Sequence, residues 1–343
     1  MHAGKRYSLN EFLIWTRCDI YWMIALASIP TLLYQLVQFE GIHFKWLAIP
    51  WVPIAMIGTA AAFIVGFRNT QTYNRLWEAR QIYGAIVNLS RTWGIMAIDF
   101  VNSNTTAALS ADELHAIRQQ LIYRHIAWLT ALRFQLREPR AWENMTKKYN
   151  LEYLNHYKIP ERESNLPDEL KALIAPKELA YIMGSKNRAT QLVALQSKHL
   201  SELKVKGLID PLDYVEMEKL LKDLYEQQGK CERIKNFPYP RQFASINFFF
   251  IRLFIVLVPF GMLNEFSKLG PALVWLTIPF STVVSWVFNA MERVGESTEN
   301  PFEGSANDVP VTAMSRTIEI DLRDMLHEKD LPPALAPVNN ILM

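Results

Sequence analysis

Four long stretches of this 343-residue chain are almost free of charge, and they constrain its fold more than any other feature. They are Ile20 to Phe39, Trp46 to Phe67, Phe243 to Leu263 and Leu269 to Met291, and the only charge within them belongs to Arg252. Each is about as long as the roughly 20 residues that an α-helix needs to cross a bilayer. Because lipid offers no partner to an unpaired backbone polar group, such stretches cross as helices. The sequence therefore predicts an all-α chain with four membrane-spanning helices.

The charges around these stretches predict the orientation of the chain. An even number of crossings leaves both termini on one side of the membrane. The connectors on the other side, residues 40–45 and 264–270, hold one lysine each, whereas positive residues flank the opposite ends: Lys5, Arg6, Arg17, Arg68, Arg75, Arg80, Arg233, Lys235 and Arg241. This bias places both termini and the long middle segment in the cytoplasm. We therefore expect Cys18 and Cys231 to be free thiols on the reducing side.

Composition divides the chain into four segments. Residues 1–67 hold the N-terminal segment and the first two spans, residues 68–241 a cytosolic helical domain, residues 242–292 the last two spans, and residues 293–343 a cytosolic C-terminal segment. Charges in the middle segment recur at helical spacing without the alternation of a strand. There, Asp210 followed by Pro211 is typical of a helix N-terminus, with a carboxylate cap before a proline at the first helical position. Leu212 would lie in the first turn.

The second span continues into the polar segment without a helix breaker. Residues 55–80 change from apolar to strongly cationic, which predicts one helix that leaves the bilayer. One stripe of this helix consists of Thr59, Phe63 and Phe67, and a neighbouring stripe consists of Gly58, Ala62 and Gly66. Small residues at this spacing let membrane helices approach closely. The phenyl stripe either lines a narrow pore or faces lipid or the protein core, and spacing alone is more typical of the second arrangement.

Sequence patterns of enzymes are mostly absent. The seven histidines never approach a spacing such as H-E-x-x-H, and there is no C-x-x-C, G-x-G-x-x-G or phosphate loop. Carboxylate pairs near the fourth span, Glu292 with Glu296 and Glu299 with Glu303, are interpreted as groups that solvate a helix end. A formal net charge of +2 is too small to indicate a nucleic-acid partner. We expect no catalytic residue, no cofactor and no metal site.

Two sets of arginines have both a structural and a functional interpretation. Arg252 lies near the middle of the third span. An ionisable side chain there either serves a function, or it extends to the membrane surface or pairs with a neighbouring helix. Arg68, Arg75 and Arg80 follow the second span. They either mark the end of the span in the usual way or make a cytoplasmic vestibule electropositive, which would concentrate anions.

Several motifs together give the chain a resemblance to the bestrophin channels, and in particular to their bacterial members. They are GFRNTQTYNRLWEARQIYG after the second span, the Asp210, Pro211, Leu212 helix start, CERIKNFPYPRQF before the third span, and ENPFEGSANDVPVTAMSRTIEIDLRDML after the fourth. The first and last are specific, and with the four-span layout they cover nearly the whole chain. The resemblance implies a homopentamer of identical subunits in the cell inner membrane. One axial pore would pass through the spans and a helical cytosolic barrel.

The resemblance also implies which residues line that pore. Carried over residue by residue, the hydrophobic neck of the family falls on Thr59, Phe63 and Phe67, and its cytosolic aperture falls on Leu212. Arg68 and Asp210 become candidates for the pore vestibule. Thr59 stands where relatives have an aliphatic residue, which predicts a wetter upper end of the neck.

Eukaryotic bestrophins have a calcium clasp of clustered aspartates just after an N-P-F motif. This chain has the motif at Asn300, Pro301 and Phe302, but the next six residues read EGSAND. Asp308 is the only aspartate left of the acidic cluster. The comparison argues against gating by calcium.

The function implied is passive conduction of monovalent ions, with membrane lipids and identical subunits as the other partners. Rings of Phe63 and Phe67 would form a dry constriction that gates by dewetting, and the positive edges of the phenyl groups favour anions. Helix N-termini at Pro211 also favour anions, although Asp210 opposes them. We predict conduction of chloride-like anions. The alternatives are a sodium or potassium channel of the same architecture, and a membrane-anchored signalling protein that binds a ligand within residues 68–241.

Overall fold

The computed structural model describes residues 1–39, 47–102 and 109–343. Within these ranges the regular secondary structure is helical, and Ile341 makes isolated bridges with His2 and Val338. The α-helices are α1 (Leu9–Phe39), α2 (Trp51–Asp99), α3 (Ala111–Arg137), α4 (Lys148–Tyr153), α5 (Pro160–Glu163), α6 (Leu166–Lys171), α7 (Pro176–Met183), α8 (Arg188–Val205), α9 (Pro211–Asn236), α10 (Arg241–Ser267), α11 (Thr277–Ser297) and α12 (Val311–Met325). Short 3-10 helices cover Leu154–His156 and Pro271–Leu276. The all-α prediction is confirmed for the described residues.

Four helices of the described part of the chain are long and apolar enough to cross a membrane, as predicted. They are α1, α2, α10 and the helical stretch from Pro271 to Ser297. α2 begins at Trp51, five residues after the apolar stretch of the sequence begins. The reason is Pro50, which disfavours a helical conformation at the residue before it. The predicted connector at residues 40–45 lies outside the described residues.

The chain packs into two compact units, which we describe separately. The apolar unit comprises residues 4–75 and 238–299, and the helical unit comprises residues 1–3, 76–237 and 300–343. These two units are defined by the contacts within the chain. The four segments predicted from composition were defined instead by which residues lie in the membrane, and that assignment stays a prediction.

In the apolar unit, α1 packs against α10 and α11, and α10 packs against α11. Polar contacts join α1 to α11: Trp286 Nε1 donates to Thr16 Oγ1 at 2.9 Å, and Asn289 Nδ2 donates to Asp19 Oδ2 at 2.7 Å. Gly58 allows α2 to approach α10, because a Cβ atom there would lie 2.5 Å from the Phe254 ring. Within the chain this close approach holds for Gly58 but not for Gly66, which is exposed and where a Cβ atom would meet nothing within 4 Å. The predicted packing stripe is therefore supported at Gly58.

The helical unit has one large hydrophobic core. Its fully buried members include Tyr83, Ile86, Trp93, Leu121, Leu132 and Leu200. α3 packs against α8 and α12, and α8 packs against α9. The start of α3 is fixed by a reciprocal capping box between Ser110 and Glu113. Both cysteines are free thiols, with Cys18 exposed and Cys231 buried.

Candidate pore residues and their surroundings

α2 carries the predicted neck residues on one unbroken helix of 49 residues. At 1.5 Å per residue such a helix is about 73 Å long. The helix continues through residues 55–80 without a break, as the sequence predicts. Its face towards the apolar unit is formed by Ile54, Ala61 and Val65, which are all buried.

The predicted neck residues lie on the opposite, uncovered face of α2. Phe63 is 78% exposed and Phe67 is 47% exposed in the single chain, and Thr59 is also exposed. The Phe67 ring lies with its centroid 6.1 Å from that of Phe243. A phenyl group as exposed as Phe63 requires cover from lipid or from another protein surface. The chain therefore does not use Phe63 in its own core, and its place in a pore stays a prediction.

Thr59 uses its hydroxyl group within α2. Its Oγ1 donates to the carbonyl oxygen of Ala55 at 2.9 Å. The hydroxyl proton is therefore engaged in the helix, and only the lone pairs of Oγ1 remain for water or an ion. Thr59 would therefore make the upper end of the neck polar as a hydrogen-bond acceptor and not as a donor.

Arg68 follows Phe67 in the sequence but points into the apolar unit. Its side chain is 5% exposed, its Nη2 lies 3.0 Å from Glu299 Oε2, and its Nη1 lies 3.7 Å from Glu292 Oε1. Arg241 Nη1 lies 3.0 Å from the other carboxylate oxygen of Glu299. Two arginines and two glutamates thus form a cluster with no net charge. In the single chain the guanidinium of Arg68 is not presented at the face that bears Phe63, and a vestibule role for it stays a prediction.

The carboxylates of this region correct one interpretation of the sequence. Glu292, Glu299 and Glu303 are buried, so they do not solvate a helix end. Each has partners that local spacing does not reveal. Glu299 pairs with an arginine 231 positions earlier, and Glu303 Oε2 accepts from the backbone N–H of Asn144 at 2.8 Å.

Arg252 packs against aromatic rings. Its guanidinium carbon lies 5.6 Å from the ring centroid of Trp22 on α1 and 5.2 Å from that of Phe248, one turn earlier on α10. A cation over the face of an aromatic ring is attracted by the quadrupole of the ring. The structure thus agrees with the interpretation in which Arg252 is accommodated by a neighbouring helix.

The start of α9 has the N-terminal cap that the sequence predicts. Pro211 is the first residue of the helix, and Asp210 Oδ1 accepts from the backbone N–H of Leu212 at 2.9 Å. The Leu212 side chain is 77% exposed. The carboxylate of Asp210 therefore serves the N-terminus of its own helix, where it counters the positive end of the helix dipole. The aperture role of Leu212 stays a prediction.

The residues after Phe302 do not fit a calcium site. Asp308 is buried, and both of its carboxylate oxygens already accept hydrogen bonds from Gly304 and Ser305 of the same loop. Calcium requires six to eight oxygen ligands that are free to coordinate it. In the described ranges no group of three or more His, Cys, Asp or Glu side chains is arranged to hold a metal ion.

Comparisons with known proteins give a consistent result. A family model described as Bacterial/Fungal Bestrophin protein matches residues 9–324. A voltage-dependent anion channel-forming protein of Ralstonia nicotianae is 26% identical over 297 residues, which cover 85% of this chain and 83% of that protein. A protein of the same description from Escherichia coli K12 is 25% identical over 286 residues, which cover 83% of this chain and 80% of that protein.

Solved structures share the fold. The crystal structure of a bacterial bestrophin homologue from Klebsiella pneumoniae superimposes with a TM-score of 0.72 at 23% sequence identity. The match covers 91% of this chain and 98% of that one.

Proposed function

The chain belongs to the bacterial and fungal bestrophin family, and on that premise we propose that it is an anion channel, and not an enzyme, built from five copies around one pore. The relatives from Ralstonia and Escherichia are described as anion channel-forming proteins. The observation that carries the proposal is the exposed phenyl stripe of α2. Phe63 is apolar and 78% exposed, and it lies on α2, the longest of the four candidate membrane helices in the described residues.

In the proposed assembly, α2 from each copy turns this stripe to the axis. Phe63 and Phe67 form the neck, and Thr59 forms its upper end. Five exposed phenyl groups at one level would leave a passage with apolar walls, from which water withdraws when the passage narrows. Leu212, exposed at the start of α9, forms the aperture on the cytosolic side.

Selectivity in this proposal arises at the neck. The edge of a phenyl ring carries partial positive charge and attracts a partly dehydrated anion. Arg68 contributes little to the field in the pore, because it belongs to a cluster with Arg241, Glu292 and Glu299 that has no net charge. Chloride is the anion we propose, since it is monovalent and loses its hydration more readily than a multivalent anion.

The neutral arginine cluster also favours a second candidate function. A neck without an adjacent ring of free positive charge does not repel sodium or potassium. A monovalent cation channel of the same architecture is therefore the alternative. In either case we propose that the protein lies in the cell inner membrane with both termini in the cytoplasm, in accordance with the charge bias of the sequence.

Reversal potentials distinguish these functions. The purified protein is reconstituted in planar bilayers under a potassium chloride gradient, and current is measured before and after chloride is replaced by a large organic anion. An anion channel reverses near the chloride equilibrium potential and loses current on the replacement. Reversal at the potassium potential would establish the cation alternative. The absence of any current from correctly assembled protein would reject both and favour the membrane-anchored signalling protein.

A further inference from the structure

The helical unit contains a cavity of about 410 Å³ beside the contact between α3 and α12. Pockets that bind small molecules have volumes of about 300–1,000 Å³. None of the residues proposed for the neck, the vestibule or the aperture is among those that line it. The proposed ion pathway therefore does not account for this cavity.

Two helices supply most of the polar lining, each from a single face. α3 contributes Ile126, Leu129, Thr130 and Arg133. α12 contributes Thr312, Ser315, Arg316 and Glu319. Both sets have the spacing i, i+3, i+4, i+7, which brings side chains to one face of an α-helix. The polar groups of the cavity are thus positioned by regular secondary structure, which holds a binding site more precisely than a loop does.

The rest of the wall is mostly apolar. Pro160, the first residue of α5, and Leu173, two residues after the end of α6, both line the cavity. Leu335 of the C-terminal segment completes the lining and is 39% exposed. Together with the buried Ile126 and Leu129 they form a surface suited to an apolar group.

Arg133 is not available to a ligand, because its guanidinium is already bonded. Its Nη1 lies 2.5 Å from Glu161 Oε1, and its Nη2 bonds Glu169. The other oxygen of Glu169 accepts from the hydroxyl of Ser164 at 2.6 Å. This part of the lining therefore offers neither a free cation nor a free carboxylate.

Arg316 is the arginine of the lining with donors to spare. Its Nε lies 3.5 Å from Glu319 Oε2, and Arg323 Nη1 lies 3.4 Å from the other oxygen of that carboxylate. The two terminal nitrogens of Arg316 make no hydrogen bond in the part of the chain that the structure describes. A guanidinium with both terminal nitrogens available matches the two oxygens of a carboxylate.

Thr130 provides a second free donor on the facing helix. The residue is 6% exposed, and its hydroxyl makes no hydrogen bond to any described residue. A buried hydroxyl without a partner is costly, and a ligand oxygen would satisfy it. The polar groups left unused in this cavity are consequently hydrogen-bond donors, one of them charged.

From these observations we propose that the cavity is a binding site for a small organic monocarboxylate with an apolar body. The carboxylate pairs with the terminal nitrogens of Arg316 and accepts from Thr130. The apolar body lies against Leu173 and Leu335. This site is separate from the proposed pore, and the proposal does not depend on ion conduction.

The charges of the lining disfavour other ligand classes. An amine would need a free carboxylate, and both Glu169 and Glu319 already have partners. A multivalent anion such as phosphate would meet one free guanidinium beside these two carboxylates, which repel further negative charge. A single negative charge is the charge that this lining balances.

Thermal unfolding of the purified full-length protein tests the proposal with hydrocinnamate as the probe. At about 10 mM, roughly ten times the expected Kd, the sodium salt should raise the midpoint by about 2–4 °C relative to the same concentration of sodium chloride. Hydrocinnamyl alcohol, which has the same apolar body without the charge, should not raise it. Titration of the midpoint with the probe gives the Kd.

The variants locate the carboxylate. Arg316→Gln should raise the Kd about tenfold or more, because a hydrogen bond to a charged group is lost. Thr130→Val, which keeps the shape of the side chain, should raise it about threefold. Arg91→Gln is the matched control, since Arg91 is also partly exposed and pairs with Asp321 on α12, but it does not line the cavity. Its Kd should equal that of the wild type.

Three results would overturn the proposal. No rise of the wild-type midpoint would mean that the cavity does not take up the carboxylate, for example because a neighbouring copy covers it. An equal rise with the alcohol would show that the charge is not recognised. A Kd that is unchanged in both Arg316→Gln and Thr130→Val, or raised as much in Arg91→Gln, would place the probe elsewhere. If Arg316→Gln does not fold, Thr130→Val alone makes this comparison, and none of the readouts requires an ionic current.

Discussion

Arg68 and Glu299 form a buried ion pair, with 3.0 Å between Nη2 and Oε2, immediately beyond the exposed Phe67. Arg68 is thus buried on one side of α2, while Phe67, its neighbour in sequence, is exposed on the other.

Removing the guanidinium of Arg68 should destabilise the protein strongly. Arg68→Met removes the buried guanidinium that pairs with Glu299 and Glu292 and leaves the half-exposed Arg241 on Glu299. Breaking a buried pair in this way costs about 3–5 kcal/mol. The matched control is Arg91→Met on the same helix. Arg91 lies 2.8 Å from Asp321, but its side chain is 45% exposed, so we expect a cost of about 0–1 kcal/mol. Denaturant unfolding of both variants measures the difference, and equal costs would contradict the assignment of Arg68 to a buried cluster.

Phe63→Ala should raise conductance with little loss of stability. The ring is largely uncovered in the chain, so its removal leaves no internal cavity, whereas it widens the proposed neck. Phe254→Ala is the counterpart within the apolar unit: that ring is buried, and its loss should cost about 3–5 kcal/mol.

Single-channel recording and thermal unfolding on the same preparations check this prediction. Ile29→Ala, an exposed apolar position on α1, controls for effects of surface apolarity and should leave conductance unchanged. Unchanged conductance in Phe63→Ala would count against the neck.

Two glycines of α2 should respond oppositely to the same substitution. Gly58→Ala places a methyl group 2.5 Å from the Phe254 ring, and such overpacking costs about 1–3 kcal/mol. Gly84→Ala meets nothing within 4 Å and should stabilise the helix by up to about 1 kcal/mol. The free energies of unfolding of the two variants provide the measurement, and a gain of stability in Gly58→Ala would show that α2 does not pack closely on Phe254.

His125 should make the protein sensitive to acid. The imidazole is buried between Trp93 and Trp128 and hydrogen-bonds to Ser90, and burial lowers its pKa from 6.5 to about 3. The unfolded chain therefore takes up a proton that the folded chain excludes. The contribution of His125 to stability is complete above pH 6.5 and is lost as the pH falls towards 3.

His125→Gln, which can still bond Ser90, should consequently lose less stability than the wild type when the pH is lowered from neutral to about 5. Unfolding midpoints across this range measure the slope. His115→Gln, at an exposed position, should behave like the wild type, and identical slopes in all three proteins would contradict the prediction.

The helices were predictable because local chemistry determines them. An uncharged stretch of about 20 residues has few alternatives to a membrane helix, and Asp210 with Pro211 satisfies the first turn of α9 by itself. The unbroken course of α2 was also evident, since no breaker separates its apolar and polar parts.

The burial of the glutamates was not predictable in this way. Glu299 lies near the end of a helix, where a carboxylate is usually solvated, and its partner Arg68 is 231 positions away. Only the packing of α2 against α10 and α11 brings these charges together. The exposure of Phe63 likewise depends on which face of α2 the other helices cover. The sequence periodicity shows which residues share a face, but it does not show which helix packs against that face.

The continuity of α2 limits how the proposed neck can open. A helix without an internal break behaves as a stiff rod, so the phenyl groups of Phe63 and Phe67 cannot swing outward on a local hinge. Dilation then requires either rotamer changes of the rings themselves or a tilt of the whole rod, and a tilt of a few degrees would displace its two ends in opposite directions.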